Sequence, residues 1–352
     1  MKSLKLIGAG VFVLFVLLSL SVGFAVAQDL AKQKQEKMVR LNEIDNRLKA
    51  SPSKEEYDQL IKEREQIVAE IKKIDEALKA DVEAMRKINA VKKAYNEGNT
   101  ALRLGQYEKA IQLYDKALSM DPTFYKAYYG KGFALNKVRQ YQKAVEAYQK
   151  AVEHNPNYTE AYVNMAKIYR DRLRNPEKAA EIFKTAIERD PSAYKAYYEL
   201  GVYYLNVKKD PNKAVENFIQ ATRLKPDYAL AYFSLGVGLT ELGRYNDAIA
   251  ALDSAIANSK RKRWSSPWAR KAVAYNKMGN CKAALQAAKQ ALSLKKNDSL
   301  AKYEAGKASK CLGQFQQALS YFESLKRDRL WRKTAEYEID LIVNRDKYGG
   351  NE

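Results

Sequence analysis

The sequence predicts an all-α protein: a coiled-coil or helical-hairpin head, an α-solenoid and a C-terminal capping helix. Three observations predict it. Alanines return at Ala110, Ala144, Ala179, Ala214, Ala248, Ala284 and Ala318, in steps of 34, 35, 35, 34, 36 and 34. Small residues keep the same beat twelve or thirteen places earlier, at Gly98, Gly132, Ala166, Gly201, Gly236, Ala272 and Gly306, and a third set lies four places later, at Tyr114, Tyr148, Phe183, Phe218, Leu252, Ala288 and Phe322. Within a copy the apolar spacing is helical, as in Tyr128, Leu135 and Val138, then Tyr141, Ala144, Val145, Tyr148 and Ala151. One helix pair cannot bury its own apolar face, so a period of this length means stacked units.

The chain opens on residues 1–27, which read as an export signal. Lys2 and Lys5 precede an apolar stretch from Leu6 to Phe24, and Ala25-Val26-Ala27 fits a small-residue cleavage site that would leave Gln28 first. The competing reading is an uncleaved anchor, because an apolar run of about 20 residues can span a bilayer.

Residues 28–90 form the head. They hold 14 Lys/Arg and 14 Asp/Glu, no Gly and one Pro, Pro52. Leu60, Arg64, Ile67, Ile71, Ile74, Leu78, Met85 and Ile88 make an approximate heptad seam, preceded by a shorter one of Met38, Leu41, Ile44 and Leu48. Ser53 with Glu56 predicts a capping box after the turn at Pro52. Two arrangements are open: the short helix folds back on the long one, or the long helix pairs between chains through 54–90. The long seam outruns the short one, leaving Met85 and Ile88 for the first repeat or another chain.

Residues 91–327 hold seven copies. Each predicts two antiparallel helices crossing at the small residues, with the bulky residue filling the adjoining gap. Copies three and four carry one extra residue, predicted as a longer turn at Asn175-Pro176 and Asp210-Pro211, both good helix starts. Residues 328–352 supply Trp331, Ala335, Ile339 and Ile342 on one face, predicted as the cap that closes the last apolar surface.

The repeat resembles the tetratricopeptide repeat: Gly/Ala, Ala, Tyr/Phe and Ala at fixed offsets, closed by Pro122, Pro156, Pro191 and Pro226. Copies five and six depart from it, with Lys260 and Lys296 at the closing position. The resemblance implies a right-handed solenoid whose first helices line a concave, peptide-binding face. By register that groove comprises Tyr95, Asn99, Tyr129, Phe133, Asn136, Asn164, Lys167, Lys195, Tyr198, Asn206, Phe233 and Tyr303. Some members grip a C-terminal carboxylate with a Lys/Asn/Arg clamp; Tyr95, Gly130 and Glu160 replace its residues here, so that binding mode is not expected. The layout is also similar to periplasmic coiled-coil/tetratricopeptide adaptors.

The net charge of +20 is uneven: residues 258–352 hold 21 Lys/Arg against 9 Asp/Glu. Lys260, Arg261, Lys262 and Arg263 beside Trp264 form a candidate anion-binding loop for anionic envelope lipid, envelope polymer or an acidic protein, the alternative being a solvated basic surface with no partner; nucleic acid fits an exported protein poorly. On that reading, reversing the charge of Arg261 to Arg263 would affect only anion binding. Cys281 and Cys311 fall on one rim of neighbouring helices, which predicts a disulfide in an oxidising compartment. His154 is the only histidine. No zinc cluster, phosphate loop or assignable acid–base pair is evident, so no catalysis, metal or cofactor is expected. The expected function is an exported scaffold or adaptor holding a protein segment in its groove.

Overall fold

The computed structural model describes the backbone of residues 7–50 and 52–344, and side chains of 26–344 apart from residue 51. The described residues are helical throughout, with no strand among them. The chain divides into two compact units, 1–127 and 128–352.

In the first unit, α1 (Ile7–Lys49) and α2 (Lys54–Arg103) form an antiparallel hairpin. Ile44, Leu60 and Ile67 are buried between them, flanked by Leu41, Leu48 and Ile71. Ion pairs outside this seam fix the direction: Lys34–Asp75 at 2.5 Å, Lys37–Glu70, Arg40–Glu63 at 2.8 Å, Asp45–Arg64 at 2.7 Å and Arg47–Glu56 at 2.5 Å. Such exposed pairs add little stability individually, but they select one register. Ser53 accepts the Glu56 N–H at 3.4 Å, while the Glu56 carboxylate serves Arg47, so only half of the expected capping box forms.

Farther along α2 the seam residues are exposed. Val82, Met85 and Ile88 are exposed, and the first repeat does not take them up. The expected division at Ala90 falls inside one helix, because α2 runs unbroken into copy one as its first helix. Nothing between Lys54 and Glu97 breaks it; Gly98 is accommodated because Tyr114 of α3 (Tyr107–Met120) fills the space a side chain would occupy.

The remaining copies pair α4 (Tyr125–Lys137) with α5 (Tyr141–His154), α6 (Thr159–Asp171) with α7 (Pro176–Arg189), and α8 (Tyr194–Tyr203) with α9 (Pro211–Leu224). Then come α10 (Ala229–Glu241) with α11 (Tyr245–Ala257), α12 (Ser266–Lys277) with α13 (Cys281–Leu294), and α14 (Ser299–Cys311) with α15 (Phe315–Glu323). The cap is α16 (Arg332–Val343), which buries Ala335 and Ile342 against Ala318, Phe322 and Leu325.

Each copy turns at one residue of positive φ: Gly105, Arg139, Arg174, Lys209, Gly243, Gly279 and Gly313. These keep the steps of the repeat. The extra residue of copies three and four lies upstream of the expected place. In other copies the turn closes across five residues, as in Gln140 N–H to Leu135 C=O. In copies three and four it closes across six, Asn175 to Tyr169 and Asp210 to Tyr204. Copy four absorbs the residue as a π-helical turn, Tyr204–Lys208, so the cap and its proline keep their geometry. Asn175 and Asp210 then cap the next helices, accepting Lys178 N–H at 2.9 Å and Lys213 N–H at 3.0 Å.

Candidate protein-binding groove

Within the second unit, α10 packs on α12 and α12 on α14, first helix against first helix. No comparable pairing joins successive second helices among the described residues, so from α10 to α14 it is the first helices that pack on one another.

The aromatic residues of these helices are arranged as a ladder. Tyr129 meets Tyr158 at 5.0 Å, Tyr198 meets Tyr228 at 5.2 Å, Phe233 meets Trp264 at 5.3 Å and Tyr303 meets Trp331 at 4.9 Å. In the first unit Tyr95 and Phe124 repeat the contact at 5.1 Å. A ring on one first helix is thus edged by a ring near the start of the next element. Tyr129, Tyr198, Phe233 and Tyr303 are consequently half-buried, offering one edge to solvent. Sequence reading passed over Tyr158 and Tyr228 as groove residues and saw Trp264 only as part of the basic loop. Phe124, Tyr158, Tyr228 and Trp264 each lie eight residues before the small residue of their copy, so the signal was present in the register.

Polar groove residues make contacts both between and within repeats. Asn164 donates to the Tyr129 hydroxyl at 2.9 Å, and Asn99 accepts the Tyr114 hydroxyl at 2.7 Å. Lys167 at 2.9 Å and Arg170 both bind Glu199, which is 7% exposed. The same offset recurs in Asn276 to Glu304 at 2.7 Å and in Lys310 to Glu338. Lys137 lies over Phe133 at 5.3 Å and Lys195 over Tyr194 at 5.8 Å. Asn136 is half-buried, and Asn206 is exposed on the π-turn. There Leu205, Asn206, Lys209, Val237, Glu241 and Arg270 line an open pocket of about 380 Å³.

Burial raises the Tyr198 phenol above its ordinary range; a hydrogen bond with Ser234 and the charges of Arg170 and Arg261 pull the other way. Burial also raises Tyr228. Tyr303 is pushed to about 12, chiefly by burial, then by the Glu338 and Glu304 charges. Its hydroxyl donates to Glu338 of the cap at 3.3 Å, so it faces α16 more than open groove.

The loop cations Lys260, Arg261, Lys262 and Arg263 are all exposed. Arg261 lies over the Trp264 ring at 5.4 Å, so the anion loop and the ring ladder meet at one residue. Arg261 thus touches a ladder ring as well as belonging to the loop. Cys281 and Cys311 are joined in a disulfide with Cα atoms 6.1 Å apart. His154 ends α5, its ring stacked on Tyr128 at 5.6 Å. No cluster of His, Cys, Asp and Glu among the described residues could hold a metal.

Models of the tetratricopeptide repeat match residues 93–124, 125–158, 147–181, 165–209, 207–262 and 265–298, more than half of the chain. The chain belongs to the tetratricopeptide repeat family. No curated protein matches it. Among solved tetratricopeptide-like folds, the chain is similar to PilF of Pseudomonas aeruginosa (18% identity, TM-score 0.52, covering 61% of this chain and 96% of that one). It is also similar to PilW, a type IV pilus biogenesis factor (17%, TM-score 0.50, 60% and 96%). A third likeness is to the Cut9–Hcn1 structure (18%, TM-score 0.52, 70% and 48%). At these identities the likeness is one of fold. Among the described residues no helix is long and apolar enough to cross a membrane. The leader read at 1–27 lies outside the described side chains except for Val26 and Ala27.

Proposed function

We propose that this tetratricopeptide repeat protein is an exported, non-catalytic scaffold that captures a segment of another protein on its first-helix face. The observation that carries the reading is the ring ladder. Half-buried tyrosines held edge-on by a neighbouring ring present apolar area and a hydroxyl with little entropy left to lose. The leader at 1–27 and the pairing of both cysteines support export, since disulfides persist in oxidising compartments. Self-association through 54–90 belongs to the same reading, supported by the exposed Val82, Met85 and Ile88.

The test is retention of a cross-linked protein partner through low- and high-salt washes, in the wild type and in Tyr129→Ala and Tyr198→Ala. Salt-resistant retention that both substitutions weaken is the expected result. Retention indifferent to both contradicts the groove. A second reading, binding of anionic lipid or polymer through Lys260 to Arg263, is favoured by their exposure. It predicts binding that collapses with ionic strength. Lys262→Glu and Arg263→Glu separate the two readings; Arg261 does not.

A further inference from the structure

We infer that the captured segment is acidic and that Arg261, seated on Trp264, receives one of its carboxylates. The inference rests on the groove reading above and adds the chemistry of the partner. Trp264 occupies the ladder position held elsewhere by Tyr158 and Tyr228, packed on Phe233 at 5.3 Å. Arg261 lies three residues before it. The matching positions of earlier copies hold Asp121, Asn155, Asp190 and Lys225. The first three are spent on their own turns, accepting Thr123, Asn157 and Ser192 N–H at 2.9, 3.2 and 2.9 Å, and Lys225 pairs with Asp227 at 2.9 Å. Arg261 has no such duty. Its side chain makes no ion pair among the described residues, and its guanidinium lies 5.4 Å from the centre of the indole, a contact compatible with bidentate binding of a carboxylate.

The loop is pinned, so this placement persists. Ser265 is 4% exposed and donates to Asp298 at 2.6 Å; the Arg261 backbone N–H donates to Ser259 Oγ at 3.0 Å. No local acid cancels the loop. Asp227, which feels Lys260, is already paired with Lys225 at 2.9 Å, and Glu199 is held by Lys167 and Arg170. One turn along α10 from Phe233, Val237 lines the open pocket beside Arg270, which also makes no ion pair among the described residues. An extended segment rises about 3.3 Å per residue and a helical turn about 5.4 Å. A carboxylate at Arg261 would thus place a side chain a few residues on at this mostly polar pocket, where Arg270 offers a second cation. Basic segments are repelled by the four loop cations.

The test is selection of a random-peptide phage library on the full chain. Binding of one enriched peptide is then measured by fluorescence anisotropy to wild type, Arg261→Glu, Arg261→Lys, Arg263→Glu and Tyr198→Ala. The expected result is acidic enrichment. Affinity should fall at least about tenfold in Arg261→Glu, less in Arg261→Lys, and under about threefold in Arg263→Glu. Enriched peptides that are neutral or basic, yet lose binding in Tyr198→Ala, overturn the acidic partner and leave the groove standing. No enrichment, or binding indifferent to both Tyr198→Ala and Arg261→Glu, overturns both. Binding of phosphatidylglycerol vesicles that falls equally in Arg261→Glu and Arg263→Glu, and that no selected peptide displaces, assigns the loop to a membrane surface and overturns the inference.

Discussion

A Cβ built on Gly201 would stand 2.6 Å from Cε1 of Phe218, a ring with no exposed surface. Gly306 stands in the same relation to Phe322, at 2.5 Å. Each such copy is held by a missing side chain on one helix and a large one on the other. Copy six solves the crossing differently, with Ala272 and Ala288 in one cluster. Gly201→Ala gains about 1 kcal/mol of helix propensity. It forces a buried ring to move, at about 1–3 kcal/mol. Chemical denaturation should show a net loss, partly restored by adding Phe218→Leu. A gain in stability would contradict the close crossing.

Two equivalent tyrosines differ in what holds their hydroxyls. Tyr114 donates to Asn99 at 2.7 Å, while the buried Tyr148 hydroxyl has no hydrogen-bond partner among the described residues. A buried hydroxyl without a partner is costly, whereas a satisfied one contributes about 1 kcal/mol. Tyr148→Phe should therefore be neutral or stabilising, and Tyr114→Phe should lose about 1 kcal/mol. Equal effects in denaturant titrations would show that the two sites do not differ.

The Cys281–Cys311 bond closes a separation of 30 residues and ties copy six to copy seven. By loop-closure entropy, Cys281→Ser with Cys311→Ser should cost about 3–4 kcal/mol. In a stacked array that loss falls on the C-terminal copies, so protease sensitivity should appear there first. Non-reducing peptide mapping that finds both thiols free would remove the bond.

High pH should loosen the cap. The Tyr303 phenol has a folded-state pKa raised from 10.0 to about 12, so the unfolded chain loses that proton first. The contribution is complete below pH 10 and is lost as pH rises towards 12. Tyr303→Phe should flatten the decline in stability over that window. An unchanged decline would place the alkaline sensitivity elsewhere.

The period made the helix pairs legible, because a small residue at the crossing, as Gly132 is against Tyr148, recurs in every copy. Turn chemistry was less so. Arg139, Arg174 and Lys209 take positive φ with side chains that disfavour it, imposed by the stack on either side. The π-turn in α8's extension was hidden for a similar reason: one extra residue can be absorbed on either side of a capping Asp-Pro. The groove residues were placed by register, but register does not say what each ring leans on. Tyr129 and Tyr198 read as groove residues; each is braced by a ring about 30 residues on. Arg261 read as part of the anion-binding loop, and only its contact with Trp264 ties it to the ladder.

The most direct test of the central claim is photocrosslinking from inside the groove. A benzophenone amino acid replaces Tyr198 in one variant and the exposed Lys184 of α7 in another. After irradiation of intact cells and a high-salt wash, the account predicts a discrete protein adduct from position 198 and none from 184. Adducts of equal yield from both positions, or from neither, would contradict capture of a protein segment on the first-helix face.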